Sequence, residues 1–414
     1  MLTGILFRRI VREGTLTVVD SRGKSETFGS NRKDEPQATV RITDRATEAK
    51  IAAHPKLYLG EAYMDGRLVI EEGSLYDFLD ICGRNVARLE NHPLWGVFER
   101  AGAIMRPILY YNPVGRARKN VAHHYDLSGE LYDLFLDDDW QYSCAYFQDS
   151  QNETIDQAQQ NKKRHIAAKL LLDRPGLEVL DIGSGWGGLG MYLARETGAN
   201  VTGVTLSEEQ VKKSRMRAEH AGLEEQVQFQ LQDYRNLTGR YDRIVSVGMF
   251  EHVGTRHYHA FFRKLHDLLA DDGVALLHSI GRMSPPGSTN AWLRKYIFPG
   301  GYTPALSETL SVVERRNLWV TDIEILRLHY AETLRHWHNR FQANRERVRD
   351  LYDERFCRMW EFYLIGCELS FRQMDQMVFQ MQLSRRQDAV PLTRDYVTDW
   401  ERAQLAERPS AAAE

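Results

Sequence analysis

The sequence predicts an α/β protein with a doubly wound, Rossmann-like parallel sheet and a smaller N-terminal accessory domain. From residue 177 to 280, short apolar runs alternate with amphipathic helical stretches, which is the pattern of parallel strands joined by helices that cover the sheet. A glycine-rich turn, VLDIGSGWGG, ends the first of these runs. Earlier residues lack this alternation, so we expect an accessory domain over 1–115, a catalytic domain over 116–400 and a frayed tail over 401–414.

Composition and charge narrow the classes of function. The chain has 54 Lys and Arg against 57 Asp and Glu, and its net charge of −3 lacks the basic excess of a nucleic-acid-binding protein. The four cysteines show no paired spacing, so we expect no metal site, no disulfide framework and a reducing, cytoplasmic setting. The sequence shows no signal peptide and no run approaching roughly 18 apolar residues. Any contact with a membrane is therefore expected at its surface.

The accessory domain is predicted from short elements. Residues 15–20 and 38–43 alternate like strands, and residues 60–68 indicate a turn between elements. The segment 84–119 carries seven Lys or Arg against two acids, mixed with aromatic and aliphatic residues. Such a segment is suited to an anionic bilayer, where each basic residue contributes about 1 kcal/mol. An interdomain linker with solvated charges is the alternative.

The catalytic domain is predicted as a series of strands and helices. Strands are expected at 177–183, 200–207, 226–233, 242–248 and 273–280, with helices through 188–196, 208–220 and 257–270. Residues 285–304 interrupt the alternation with glycines and prolines and indicate a lid or substrate-facing insertion. A strand near 318–327 and long helices at 329–348 and 351–375 follow.

The glycine-rich turn indicates a nucleotide site. Glycines where a strand turns into a helix let the backbone approach a ligand and present helix N-terminal amides. Gly183, Gly185 and Gly188 alone fit a nicotinamide dinucleotide equally well. Asp181, two residues before the first glycine, is more typical of adenosylmethionine binding, where a carboxylate serves the amino acid end of the ligand. A tight turn without a ligand remains an alternative.

The second strand and the third bear on the same choice. The second strand ends in Thr205-Leu206-Ser207, with no acid at the ribose-binding place of a nicotinamide enzyme. Asp233, in QDYR, is a candidate acceptor for the adenine amino group, although an ordinary acid at a strand end has the same appearance. The sequence therefore favours S-adenosylmethionine over a nicotinamide cofactor.

Eight ordered motifs carry a family resemblance. They are HHYDLS (123–128), YSCAYF (142–147), LDIGSGWGG (180–188), TLSEEQ (205–210), MFEHVG (249–254), HSIGR (278–282), HYAETLRHWHNRF (329–341) and GCELSFR (366–372). With them the chain closely resembles the cyclopropane-fatty-acyl-phospholipid synthases over about residues 115–390. Many of the motifs are shared with the mycolic acid cyclopropane synthases, while the extra N-terminal domain is similar to the phospholipid-acting branch.

The resemblance implies a class I S-adenosylmethionine-dependent methyltransferase fold and a specific reaction. In this family a methyl group passes to the cis double bond of an acyl chain in a membrane phospholipid, a proton is lost and a cyclopropane ring closes. The cofactor contacts implied by motif are Tyr125, Ser143, Gly183, Gly185, Thr205, Leu206 and Gln210. The implied ligands of a bicarbonate ion are Cys144, Glu251, His278, Ile280 and Tyr330. Cys367 matches a cysteine near the active site of these enzymes.

The chemistry accounts for these residue types. Methyl transfer to an alkene leaves a carbocation, which apolar walls and aromatic faces tolerate. The candidates for that lining are Phe147, Trp292, Tyr302, Tyr330 and Trp337. The resemblance further implies that bicarbonate held beside Glu251 removes a proton from the new methyl group and that Glu251 relays it outward. The resemblance also implies unsaturated phospholipids as partners, peripheral attachment to the inner face of the cytoplasmic membrane, and a homodimer.

Other functions and other roles for these residues remain open at this point. The cation can lose a different proton and give a methyl-branched unsaturated chain from the same site. A nicotinamide oxidoreductase and a non-enzymatic lipid-binding module are the alternatives from other classes. Without the resemblance, Glu251 and His252 resemble a polar pair in a loop, and His278 a core histidine. Cys367 resembles a small buried apolar residue.

Overall fold

A computed structural model describes residues 2–90 and 129–406 of the chain. The N-terminal part contains α1 (Leu2–Ile10), β1 (Thr15–Val19), β2 (Ser25–Gly29), β3 (Gln37–Ile42), α2 (Arg45–Ala53), α3 (Pro55–Met64), β4 (Leu68–Glu72) and α4 (Leu75–Glu90). Its strands form one sheet in the order β2-β1-β3-β4, in which β1 and β3 are parallel and the other pairs antiparallel. This part lies within residues 1–115, where the sequence predicted the smaller accessory domain, and that assignment stays a prediction.

Two details of the N-terminal part differ from the sequence prediction. The strands expected at 15–20 and 38–43 are confirmed as β1 and β3, but β2 and β4 were not predicted. The turn expected over 60–68 is wrong for its first half, because residues 60–64 complete helix α3. Packing requires glycine at position 60 of this helix, because a Cβ atom there would lie 2.5 Å from Nε1 of Trp292.

The catalytic part follows the predicted alternation. Its elements are α5 (Gly129–Asp133), α6 (Ile155–Lys169), β5 (Glu178–Ile182), α7 (Gly188–Thr197), β6 (Asn200–Thr205), α8 (Glu208–His220), β7 (Val227–Leu231), β8 (Tyr241–Val247), α9 (Tyr258–Leu268), β9 (Leu269–Arg282), α10 (Ala291–Tyr296), α11 (Leu306–Val313), β10 (Trp319–Leu326), α12 (His329–Ala343), α13 (Arg345–Leu351), α14 (Glu354–Gln373), β11 (Gln376–Ser384) and α15 (Asp395–Ala406). Short 3₁₀ turns at Tyr234–Asn236, Phe250–His252 and Thr255–His257 connect several of them.

One seven-stranded sheet organises this part, in the order β10-β11-β9-β8-β5-β6-β7. The strands β7, β6, β5, β8 and β9 are mutually parallel, whereas β11 runs antiparallel to both of its neighbours. The predicted α/β fold with a doubly wound, parallel-dominated sheet is therefore confirmed. Because parallel strands end at the same edge, the loops after β5, β6, β8 and β9 meet there.

Helix α6 begins with a capping box and then buries an unusually polar face. Thr154 accepts the Gln157 N–H at 3.2 Å, and the Gln157 side chain accepts the Thr154 N–H at 2.8 Å. These reciprocal bonds satisfy two donors that a helix start leaves unpaired. Further along, Lys162 and Lys169 are both almost wholly buried. Seven residues is close to two helical turns, so both ammonium groups lie on the same side of α6.

The predicted lid, residues 285–304, rests on the N-terminal part. Its short helix α10 places Trp292, which is 2% exposed, against α3, and Trp292 Nε1 donates to Met64 Sδ at 3.2 Å. Beside it, Lys295 Nζ and Tyr296 Oη both donate to Glu61 Oε1, at 2.6 and 3.0 Å. The insertion thus joins the two parts of the molecule.

The end of the described chain is more ordered than predicted. Helix α15 runs to Ala406, and its Glu401 contacts His165 while Val397 is buried. The tail predicted as frayed from 401 is therefore helical up to 406, and residues 407–414 lie outside the described residues. Tyr125 and most of the basic segment 84–119 also lie outside them. No described helix combines the length and apolarity needed to cross a bilayer.

Candidate active site

A cleft opens where the predicted cofactor loops meet, at the carboxyl ends of β5, β6 and β8. It has a volume of about 790 Å³, part of it open to solvent. The cleft is lined by the glycine turn, by Thr205-Leu206 with Gln210, by residues 232–235 and by residues 247–249.

Two glycines of the turn are required by their backbone geometry. Gly183 has φ +86°, and a Cβ atom there would lie 2.8 Å from Met249 Cβ. Gly185 has φ +53° and faces open space. Because side chains with a Cβ atom disfavour this left-handed region, glycine keeps the turn tight and the cleft wall smooth at both positions. Both glycines line the cleft, where the sequence predicted cofactor contacts.

Asp181 is a buried carboxyl with an unpaired oxygen. Its side chain lies at the end of β5, it is 2% exposed, and its Oδ2 atom has no hydrogen-bond partner. Burial raises the pKa of Asp181 to about 7, and the charge of Lys162 opposes that rise. A buried carboxyl oxygen without a partner is stabilised by a cationic ligand. The ammonium group at the amino acid end of adenosylmethionine fits this requirement.

Thr205, Gln210 and Asp233 line the cleft near the carboxyl ends of β6 and β7. Thr205 Oγ1 donates to Gln210 Oε1 at 2.7 Å, which fixes both side chains at the start of α8. Asp233 accepts from Arg235 Nε at 2.8 Å and from Arg235 Nη2 at 2.6 Å. Burial alone would raise the pKa of Asp233, but the bonds from Arg235 outweigh it and lower the pKa. Asp233 is therefore an ionised acceptor that lines the cleft and is already oriented by Arg235, and its contact with an adenine amino group stays a prediction.

Lys162 is a component of the site that sequence reasoning missed. Its Nζ atom donates to Gln141 Oε1 at 2.7 Å and to Ser143 Oγ at 2.8 Å, and so holds the predicted cofactor residue Ser143 in place. Burial lowers the pKa of Lys162 to about 8. Burial raises the pKa of Cys144 and the charge of Lys162 opposes that rise, whereas for His278 burial lowers the pKa and the charge of Lys162 adds to the fall. No signal in the sequence marks it, because the run NKKRHIAAK (161–169) has the charge pattern of a solvated helix.

Glu251 lies beyond the cleft, in the 3₁₀ turn after β8. Its Oε1 atom accepts the backbone N–H of Ile280 at 2.7 Å, and its Oε2 atom is buried without a partner. Burial raises the pKa of Glu251 to about 7, although the bond from Ile280 opposes the rise. A carboxyl group with a pKa near neutral and one unpaired oxygen is suited to accept and release a proton.

His278 and Ile280 come from the end of β9, next to Glu251. His278 is 2% exposed, and burial lowers its pKa to about 3, so the ring is neutral. Its Nδ1 atom lies 3.2 Å from Gln380 Nε2 on the neighbouring strand β11. The backbone N–H of Ile280 is donated to Glu251 and is therefore not a free donor for the predicted bicarbonate ion. Alternate residues of a strand share a face, so His278 and Ile280 lie on the same side of the sheet.

The remaining predicted residues belong to one apolar cluster. Cys144, Tyr330 and Trp337 are buried in it, and Cys367 and Ile280 pack against it. The ring of Tyr330 lies edge-on to that of Trp337, with 5.9 Å between centroids. Burial raises the pKa of the Cys367 thiol to about 12 and that of Cys144 as well. Both cysteines are therefore neutral thiols near pH 7.

The five aromatic residues predicted to line the acyl-chain site fall into two different hydrophobic clusters. Phe147, Trp292, Tyr330 and Trp337 belong to the same cluster as Cys144. Tyr302 belongs to a second cluster behind Glu251, where its N–H donates to the Glu251 carbonyl at 2.9 Å. Tyr302 therefore supports the 3₁₀ turn. Among the described residues, Glu251 connects the two regions: it follows the cleft-lining end of β8 and accepts the N–H of Ile280, which packs against the aromatic cluster.

Two family models match the chain. The model described as mycolic acid cyclopropane synthetase matches residues 114–381, which is more than half of the chain. A model described only as a domain of unknown function (DUF7884) matches residues 6–91.

Known proteins are similar over most of the chain. The cyclopropane-fatty-acyl-phospholipid synthase of Escherichia coli K12 is 38% identical over 355 residues, covering 84% of this chain and 88% of that protein. The tuberculostearic acid methyltransferase of Mycobacterium tuberculosis is 35% identical over 392 residues, covering 92% of this chain and 90% of that protein. Among solved structures, the mycolic acid cyclopropane synthase CmaA1 complexed with SAH and CTAB aligns with a TM-score of 0.61 and 33% identity, covering 66% of this chain and 99% of that one.

Proposed function

We propose a reaction for this chain, which belongs to the mycolic acid cyclopropane synthetase family. The chain adds a methylene group from S-adenosylmethionine to the cis double bond of phospholipid acyl chains. The chain is a methyltransferase of the cyclopropane-fatty-acyl-phospholipid synthase type with the class I methyltransferase fold. One observation carries the proposal: Glu251 follows the cleft-lining residues 247–249, buries an unpaired oxygen, and accepts the N–H of Ile280, which packs against the apolar, aromatic cluster.

The residues of the cleft are suited to hold and orient S-adenosylmethionine, which supplies an electrophilic methyl group on its sulfonium. Asp181 would receive the ligand's ammonium group, because its Oδ2 atom has no other partner. Gly183 and Gly185 leave room for the ligand at the turn. Thr205 and Gln210, already bonded to each other, would flank the ribose. These contacts, with those of Tyr125, Ser143, Leu206 and Asp233, form the proposed cofactor site.

The apolar cluster is suited to hold the alkene. An alkene is a weak nucleophile, so its alignment with the methyl group in a water-free cleft lowers the barrier by several kcal/mol. The resulting carbocation on the acyl chain is stabilised by the aromatic faces of Tyr330 and Trp337. Cys144 and Cys367, as neutral thiols in this cluster, introduce no charge beside the cation.

Proton removal is proposed to depend on Glu251. We assign the binding of bicarbonate to Cys144, Glu251, His278 and Tyr330, with Ile280 acting through Glu251, and this ion, when bound, would supply the oxygen base for the proton of the new methyl group. The side chains fit an oxyanion that carries one hydrogen, because Glu251 Oε2 is free to accept that hydrogen and His278 is neutral. Ile280 orients Glu251 through its N–H.

A second product is supported by one relative. The tuberculostearic acid methyltransferase covers 92% of this chain at 35% identity, which is comparable to the similarity to the E. coli synthase. The same site would then lose a different proton from the cation, and the acyl chain would keep a double bond and gain a methyl branch. The two products have the same mass and differ in structure.

The substrate and its location are part of the proposal. We assign a lipid-facing role to residues 1–115 and the catalytic domain to residues 116–400. The basic and aromatic composition of 84–119 supports peripheral binding to an anionic membrane surface at its cytoplasmic face. A homodimer is proposed from the family resemblance alone.

The test is to incubate the purified protein with S-adenosylmethionine and vesicles that contain cis-unsaturated phospholipids. We expect mass spectrometry to show a gain of one CH₂ per modified chain, and proton NMR to show ring methylene signals upfield of ordinary lipid signals. The same mass gain with olefinic protons retained would establish the methyl-branching reaction instead. No mass gain, despite measured cofactor binding, would refute phospholipid acyl chains as the acceptor.

A further inference from the structure

A line of buried polar side chains leads from His278 to the far side of α6. His278 on β9 and Gln380 on β11 are direct cross-strand partners, and Gln380 Nε2 lies 3.2 Å from His278 Nδ1. The other end of the amide, Gln380 Oε1, accepts from Lys169 Nζ at 2.9 Å. Gln380 has no exposed surface and Lys169 is 1% exposed. The contacts are therefore shielded from water, which makes the choice of donor and acceptor energetically important.

Lys169 determines which way the amide faces. An ammonium group has donors only, so the oxygen of the Gln380 amide must face Lys169. The opposite orientation would place the NH₂ group against the ammonium, donor against donor. With the oxygen held by Lys169, Gln380 Nε2 must donate to His278 Nδ1. A neutral imidazole whose Nδ1 accepts a hydrogen bond carries its proton on Nε2.

The lysine is itself held in place from β10. Lys169 forms a short ion pair with Glu324, and Glu324 Oε2 also contacts His165 Nε2 at 2.7 Å. Burial would raise the pKa of Glu324, but the bonds from His165 and Lys169 hold it well below its usual range. Glu324 is therefore an anion opposite Lys169, and Glu401 of α15 holds the other side of the His165 ring at 2.8 Å.

We infer that Gln380 and Lys169 are positioning residues that lock His278 in the tautomer with its proton on Nε2, so that the ring offers a hydrogen-bond donor to an oxyanion beside Glu251. The inference rests on the proposed function for its catalytic meaning and on the hydrogen-bond geometry for the tautomer itself. An Nε2–H donor suits an anion, whereas the other tautomer would direct a lone pair toward it. The groups whose charges act on the His278 ring are Lys162, Lys169 and His165, all from α6.

The decisive variant is Gln380→Glu, which has nearly the same shape. A carboxylate there accepts from Lys169 at one oxygen and forces His278 Nδ1 to become the donor at the other, so the tautomer switches. We expect the catalytic rate constant to fall roughly 10- to 100-fold, as for other residues that orient a functional histidine. The KM for S-adenosylmethionine should stay within about twofold, because a tautomer switch leaves the cofactor cleft intact.

The tautomer is read directly by ¹⁵N NMR of the full-length protein labelled at histidine, without substrate or cofactor. The two ring nitrogens of a neutral histidine resonate far apart, and the His278 signals are assigned by their loss in His278→Gln. We expect a protonated Nε2 in the wild type and a protonated Nδ1 in Gln380→Glu. The matched control is Gln382→Glu, on the same strand and equally buried, whose amide instead donates to the Lys169 carbonyl at 2.6 Å. It should leave the His278 tautomer unchanged.

Each outcome is decisive. A wild-type His278 with its proton on Nδ1, or a Gln380→Glu variant with the proton still on Nε2, overturns the inference. If Gln380→Glu does not fold, Lys169→Met tests the other end of the line: without the ammonium the amide is free to turn, and a mixture of tautomers is expected. Because the NMR measurement needs no turnover, an inactive wild type would count against the proposed function and leave the tautomer result standing.

Discussion

Replacing Asp181 by Asn is expected to stabilise the unliganded protein while weakening cofactor binding. Burial raises the pKa of Asp181 from 3.8 to about 7. When the folded pKa lies above the unfolded value, the unfolded chain releases its proton first, so the folding stability from this group is lost as pH rises from about 4 through about 7. Asn carries no such proton. The variant should therefore match the wild type near pH 4 and exceed its stability increasingly up to pH 8.

The magnitude follows from the size of the shift. A rise of about three pKa units corresponds to about 4 kcal/mol of unfolding free energy, at 1.36 kcal/mol per unit. This figure is a ceiling, because relaxation around a buried charge reduces it. For the cofactor, a hydrogen bond to a charged group contributes about 1.5–3 kcal/mol, so its loss should weaken the binding of S-adenosylmethionine roughly 10- to 100-fold.

The assay is urea unfolding at a series of pH values, combined with calorimetric titration of S-adenosylmethionine. Asp233→Asn is the control, because the bonds from Arg235 lower the pKa of Asp233 and reverse the sign. That variant should be less stable than the wild type at neutral pH, and the difference should shrink as the solution becomes acidic. An Asp181→Asn variant with the pH dependence and the cofactor affinity of the wild type would refute the reasoning.

Three other substitutions test separate parts of the site. Glu251→Gln should reduce turnover by roughly 10²- to 10⁴-fold, because the carboxyl group serves proton removal. Equilibrium dialysis should show unchanged binding of S-adenosylmethionine. Turnover at the wild-type rate would exclude a role of Glu251 in proton removal. Lys162→Met removes the bond that holds Ser143 and should raise the KM for S-adenosylmethionine roughly tenfold; an unchanged KM in a folded variant would contradict this. Trp292→Ala should lower the free energy of unfolding by about 3–5 kcal/mol, measured in urea, because its ring fills the contact with Met64; a loss below about 1 kcal/mol would mean that this contact is not a packed one.

The sequence predicted most of the large sheet but missed β11, the strand next to its edge. The strands β5 to β9 are rich in apolar residues, and their alternation with helices was visible. Strand β11 was not predicted because Gln380 and Gln382 interrupt its apolar pattern, although both occupy fully buried positions where apolar residues are the rule. Both amides are satisfied by Lys169, one through the ammonium and one through the backbone carbonyl. Only the folded chain brings that lysine to them, so no local pattern reveals the strand.

The candidate site divides in the same way. The motif resemblance predicted Glu251, His278 and Tyr330, whose chemistry shows in their residue types, and their roles stay predictions. The residues that hold these side chains in place were not predicted. Lys162 is an example, because a lysine in a polar helix has the same local sequence pattern whether it is solvated or buried. The turn predicted over 60–68 failed for a related reason: the glycine that suggests a turn is required by the ring of Trp292, more than 200 residues away.

Helix α14 belongs to two hydrophobic cores at once. Its Ile365 and Leu369 belong to the hydrophobic core of the N-terminal part, where α14 packs against α3 and α4, while Trp360 and Leu364 of the same helix belong to the aromatic cluster around Tyr330. A chain trimmed to the span of the cyclopropane synthetase model would leave Ile365 and Leu369 facing water, at about 1.5–3 kcal/mol for each side chain. The catalytic part therefore depends on the N-terminal part to cover one apolar face of α14. A truncated variant without the N-terminal part would need polar residues on that face.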